Sequence, residues 1–171
     1  PRNISLNGQE MMSSNGINLF MANQECSVPA MMGGYDWNAA RTWSLPETGR
    51  GIVSFTADVA VDDVYVLISN YGNTSSAYEI IIGGWSNTRT AIRRGSGGPE
   101  VAAVPIGLTN RSGQNPLWVS VDSVTGRIEI GRGAPGSDCI LSYKDPNFFS
   151  GLRCATFGSY ENGIQYSQVT P

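Results

Sequence analysis

The chain has 171 residues, room for one domain with a sizeable core, and only 15% of them are charged, with a formal net charge of −3. It contains no histidine and a single lysine, Lys144. That excludes Ser-His-Asp and Cys-His catalysis, histidine-ligated metals and an imidazole pH switch, and it makes nucleic acid a poor general partner. No run reaches the length of apolar sequence that a membrane-spanning helix requires.

In chain order, residues 1–41 form an arm with the Met11-Met12 and Met31-Met32 pairs and Gly-Asn turns but no clear period. An irregular segment with one or two strands is expected there. From Thr42 to the end, short strands alternate with turn signals, and one domain over 42–171 is expected. The predicted strands are 51–58, 63–69, 77–83, 88–94, 101–107, 117–122, 127–132, 139–144, 152–158 and 164–169. Val64, Val66 and Ile68 share one face, as do Tyr78, Ile80 and Ile82, and Leu117, Val119 and Val121. Val124-Thr125-Gly126 marks a tight hairpin. Almost no ten-residue window lacks Gly, Pro or a β-branched run, so helix is disfavoured. The expected fold is all-β: an antiparallel, jelly-roll-like β-sandwich with an irregular N-terminal arm.

The compartment is read as extracellular. The start at Pro1 is what a processed chain would show, and three Asn-X-Ser/Thr sequons begin at Asn3, Asn73 and Asn110. Cys139 and Cys154 sit in strand-like runs on either side of a Pro/Asn/Gly turn. A bridge between them would close a loop of roughly 15 residues, worth about 3 kcal/mol. Cys26 is then left over, either as a buried thiol or in an intersubunit disulfide.

Gly83-Gly84, Gly95-Ser96-Gly97-Gly98 and Gly131-Arg132-Gly133 lack the following helix that a phosphate loop needs, and read as turns. The Arg93-Arg94 pair reads as a solvated strand end. The carboxylates show no spacing that singles out a glycosidase acid and base. They suit a hard cation assembled from separate loops better, because Ca²⁺ takes six to eight oxygens. If consecutive strands alternate in direction, one end of the sandwich collects Asp62, Asp63, Trp85, Asn87, Tyr160, Glu161 and Asn162. Oxygen ligands beside flat aromatic rings suit sugars, whose hydroxyls bind a cation or carboxylate while their C–H face packs on a ring. The opposite end, with Asn70, Tyr71, Asp145 and Asn147, is the weaker set, and the arm adds Tyr35, Asp36 and Trp37.

The runs Asp63-Val64-Tyr65-Val66, Tyr78-Glu79-Ile80-Ile81-Ile82-Gly83-Gly84-Trp85-Ser86-Asn87-Thr88-Arg89 and Ile92-Arg93-Arg94 resemble the farnesoic acid O-methyltransferase-like domain of invertebrates. Leu117-Trp118-Val119-Ser120, Gly126-Arg127-Ile128, Asp145-Pro146 and Phe157-Gly158-Ser159 extend the resemblance over about residues 42–170. It implies a β-sandwich. Methyl transfer is not carried over, since no S-adenosylmethionine loop on a βαβ unit is present. Within that group the chain is similar to the galactose-binding lectins of sea anemones, which implies a homodimer holding terminal galactose through calcium. Glu161-Asn162 stands where a Gly-rich turn is usual in the family, and lectin-specific ligands are expected at such a departure.

The expected protein is therefore a secreted, dimeric lectin for terminal galactose that catalyses nothing. Asp62, Asp63, Glu161 and Asn162 are the expected calcium ligands. Asn87 is expected to bond a hydroxyl, and Trp85 or Tyr160 to cover the sugar's apolar face. The alternative is a structural or adhesive sandwich that binds no free sugar.

Overall fold

The computed structural model describes residues 5–6, 9–10, 31–32, 35–59, 63–159 and 164–170. Two antiparallel sheets face each other. One has five strands, β5 (Arg50–Val59), β10 (Gln114–Asp122), β11 (Arg127–Arg132), β12 (Cys139–Lys144) and β14 (Ile164–Thr170), in the order β12-β11-β10-β5-β14. The other has seven, β3 (Met31–Met32), β4 (Tyr35–Ser44), β6 (Val64–Asn70), β7 (Asn73–Gly83), β8 (Arg89–Arg94), β9 (Glu100–Val104) and β13 (Cys154–Ser159), in the order β3-β4-β13-β6-β7-β8-β9. Two short strands, β1 (Ser5–Leu6) and β2 (Gln9–Glu10), pair separately. The all-β sandwich expected from the turn spacing is what forms.

The core follows the period-2 pattern. Val64, Val66 and Ile68, Tyr78, Ile80 and Ile82 meet Val53 and Phe55, Leu117, Val119 and Val121, and Ile128 and Ile130 from the facing sheet. Phe157 links the layers, its ring 4.8 Å from Phe55 and 4.9 Å from Tyr166. Each such side chain removed from water contributes about 1.5–3 kcal/mol. On strand β6, Tyr65 and Leu67, which face outward, are buried too, in a second cluster with Ala77 and Ile81. The near-continuous apolar run Val64-Tyr65-Val66-Leu67-Ile68 is the sequence mark of a strand covered on both faces.

The β10–β11 hairpin closes where Val124-Thr125-Gly126 placed it. Gly126 takes a left-handed φ of 75° and its N–H donates to the Asp122 carbonyl at 2.7 Å. The bridge expected between Cys139 and Cys154 does not form. Cys139 is a free, exposed thiol, and Cys154 is buried on β13 in the other sheet. The intervening segment crosses between the sheets instead of turning a hairpin. A buried cluster anchors it. The Tyr78 hydroxyl donates to Asp145 Oδ2 at 2.5 Å, Arg94 Nε to the same oxygen at 2.8 Å, and the Asn147 N–H to Oδ1 at 2.8 Å. Burial works against the Asp145 charge, but the Arg94 guanidinium and Tyr78 hydroxyl outweigh it and hold its carboxyl below the usual range. Cys26 lies outside the described residues.

Candidate functional site

Strand β7 ends at Gly83 in the left-handed region, φ 72°, and Trp85, Ser86 and Asn87 continue it with φ of 53°, 60° and 62°. Three consecutive non-glycine residues in that region are costly, roughly 1–2 kcal/mol each. Local bonds hold the turn. The Asn87 amide donates to the Leu108 carbonyl at 3.1 Å and accepts the Leu108 N–H at 2.6 Å. The Thr88 N–H returns to the Gly84 carbonyl at 3.0 Å, and its hydroxyl donates to the Trp85 carbonyl at 2.7 Å. Gly107 is needed alongside, because a Cβ there would lie 2.3 Å from the Asn87 carbonyl oxygen.

The turn presents Trp85 to solvent, 40% exposed, whereas Trp118 is 2% exposed. The Arg89 guanidinium lies 4.5 Å from the Trp85 ring centroid and that of Arg93 lies 5.8 Å away. Arg89 also pairs with Glu100 of β9. Arg93 reaches Glu79 Oε1 at 3.4 Å, and the Gly97 N–H donates to that oxygen at 2.9 Å. Glu79 Oε2, fully buried, has no hydrogen-bond partner among the described residues. Burial pushes the Glu79 carboxyl up, against the Gly97 and Arg93 contacts. An aromatic face thus stands beside donors and acceptors on the β7–β8–β9 surface. That combination can stack on the apolar side of a polyhydroxylated ring and bond its hydroxyls.

Asp63 opens β6 with a φ of 81°, and its Oδ2 accepts a 3.5 Å bond from the Tyr65 hydroxyl. Its Oδ1 lies 3.7 Å from where a Cβ on Gly84 would stand, so Asp63 and the Trp85 turn are neighbours. Register puts Ser159, Val64 and Ile82 side by side, so strands β13, β6 and β7 meet at the end of the sandwich that carries this turn. Asp62, Tyr160, Glu161 and Asn162 lie outside the described residues. Among the described residues no group of three or more Cys, Asp or Glu could hold a metal ion. Asn87 has its amide committed to Leu108, and its visible role is to shape the turn. At the opposite end, Asp145 and Asn147 belong to the crossover anchor, and Asn70 Nδ2 bonds the Ser150 carbonyl at 3.5 Å.

Sequence reasoning missed Glu79, Arg89, Arg93 and Glu100. Arg93-Arg94 was read as one solvated pair, yet the residues point to opposite faces, one to Glu79 and Trp85, the other to Asp145 and Phe149. Strand alternation across β8 was the signal that separates them.

The strand order and the facing sheets form a β-sandwich whose fold is like that of galectins. A tetrameric galectin from the ball sponge Cinachyrella aligns with a TM-score of 0.53 at 10% identity, over 75% of this chain and 96% of that one. The Caenorhabditis elegans galectin LEC-6 aligns at 0.52 and 10% identity, over 82% and 99%. Sheep galectin-11 in complex with glycerol aligns at 0.51 and 9%, over 75% and 94%. These similarities establish the fold. No curated protein sequence matches the chain. The profile described as farnesoic acid O-methyl transferase matches residues 33–171, and the chain belongs to that family. The resemblance carried by the Tyr78–Arg89 run is thereby borne out.

Proposed function

We propose that the protein is a non-catalytic lectin whose glycan site is the surface around Trp85, Arg89, Arg93 and Glu100. The observation that carries this is Trp85 itself. A strained left-handed turn holds a large, partly exposed aromatic ring beside two guanidiniums, on a fold shared with galectins. Strain of this kind is retained where the exposed group has work to do.

Terminal galactose is the sugar class we assign, bound with calcium, in an extracellular setting. Asp63 is the described member of the proposed calcium set, beside the Trp85 turn. Asp62, Glu161 and Asn162 would complete an oxygen shell of the type calcium takes. Tyr160 would offer a second ring. A single exposed site of this kind binds in the millimolar range, about −4 kcal/mol, so we place function in a homodimer, where a second site adds avidity.

Titration with galactose, with and without a chelator, tests both parts. The expected result is millimolar binding that weakens at least tenfold after chelation and is lost in Trp85→Ala. Unchanged affinity after chelation removes calcium from the account. Full binding by Trp85→Ala removes the site. The family description names a methyltransferase, and equilibrium dialysis with S-adenosylmethionine is expected to show no uptake.

A further inference from the structure

The outer face of the five-stranded sheet carries a groove of about 620 Å³, on the opposite side of the sandwich from Trp85. Register arranges its lining in rows. Asp122 stands between Arg50 and Arg127, and Ser120 stands between Ile52 and Glu129, with Ser142 next along that row. The groups are already oriented. Arg50 Nε lies 3.2 Å from Asp122 Oδ1, Arg127 donates to the Ser142 hydroxyl at 3.0 Å, and that hydroxyl donates to Glu129 Oε2 at 3.0 Å.

Donors and acceptors therefore alternate across a trough whose lining also includes Ile52. A polyanion would meet the carboxylates of Asp122 and Glu129, and a cation would meet Arg50 and Arg127. A neutral ligand with several adjacent hydroxyls can use both kinds of group at once. We infer that this groove is a second saccharide site, independent of the Trp85 surface, so that one chain is bivalent. The inference shares its ligand class with the proposed function but rests on different residues. It also provides multivalency without a dimer, because the two sites lie on opposite faces and cannot be filled by one short glycan.

The test is a titration of ¹⁵N-labelled protein with lactose at concentrations well above millimolar. Amide shifts at Ser120, Asp122 and Glu129 are expected to saturate on their own curve, separate from those at Trp85 and Arg89. They are expected to persist in Trp85→Ala and to vanish in Ser120→Trp, which fills the trough while leaving the Trp85 curve intact. Calorimetric stoichiometry is expected to fall from two to one in either variant. Shifts confined to the Trp85 surface would overturn the groove and leave the lectin assignment standing. Shifts confined to the groove would support it and displace the site proposed at Trp85. Shifts at neither surface would overturn both.

Discussion

The outward surfaces of the two sheets are built on opposite principles. On the seven-stranded sheet, Tyr65, Leu67, Ala77 and Ile81 form a buried apolar cluster, beside which Glu79 of β7 and Arg89 and Arg93 of β8 bring charge. On the five-stranded sheet Ser120 and Asp122 of β10 and Arg127 and Glu129 of β11 form a polar outward patch, next to Trp118, which faces outward too but is buried. The difference is written in the strands. Strand β6 is apolar at consecutive positions, while β10 alternates from Val119 to Asp122, where the buried Val119 and Val121 are interleaved with the partly exposed Ser120 and Asp122. An antiparallel sheet with one wet face alternates, and one covered on both faces does not.

The first way to break this comparison is to truncate one outward residue on each sheet. Leu67→Ala is expected to cost about 2–5 kcal/mol in denaturant unfolding, as a buried leucine does. Ser120→Ala on the other sheet is expected to stay within about 0.5 kcal/mol. Similar losses at both would mean that the two outer faces are equally covered.

Asp145→Ala comes next, because it leaves Arg94 and the Tyr78 hydroxyl without their shared acceptor. A loss of about 2–3 kcal/mol is expected. Since its folded carboxyl titrates below the usual range, Asp145 contributes stability above the unfolded value, and that contribution disappears as pH falls through the folded one. The wild type should therefore lose its advantage over Asp145→Ala in acid, as read by thermal melts across pH. A constant gap at all pH values would contradict the anchor.

A smaller effect is expected at the turn itself. Asn87→Ala removes two bonds to Leu108 and places alanine in the left-handed region, for a cost of about 1–2 kcal/mol. Its sugar affinity should fall through disorder of Trp85, and Asn87→Gly should recover more of it than Asn87→Ala.

Glu79→Gln sharpens the comparison most gently. Burial raises the folded carboxyl, so Glu79 contributes stability below the unfolded pKa that is lost as pH rises through the folded one. The glutamine variant is expected to gain on the wild type as pH rises, by up to about 1 kcal/mol near neutrality. A wild-type advantage growing with pH would mean that the Arg93 and Gly97 contacts prevail over burial.

Much of the fold was legible because its signals are local. The faces of Val64–Ile68, Tyr78–Ile82 and Leu117–Val121 and the Gly126 turn follow from alternation and turn chemistry. What escaped was long-range. Cys139 and Cys154 are neighbours in sequence pattern, but the segment between them changes sheet, held by Asp145 contacts to residues far earlier in the chain. Trp85 stands out in the sequence and is partly exposed in the structure, whereas its companions Arg89, Arg93 and Glu100 come from two further strands and converge through register. Asn87 illustrates the limit from the other side. An amide beside an exposed tryptophan reads as a ligand contact, and only the geometry shows it closing a left-handed turn.

Intrinsic fluorescence during a galactose titration tests the central claim most directly, because Trp85 is markedly exposed while Trp118 is buried. A saturable change in emission is expected in the wild type and should disappear in Trp85→Phe, whose melting temperature should stay close to that of the wild type. An unaltered fluorescence response in Trp85→Phe would contradict the account.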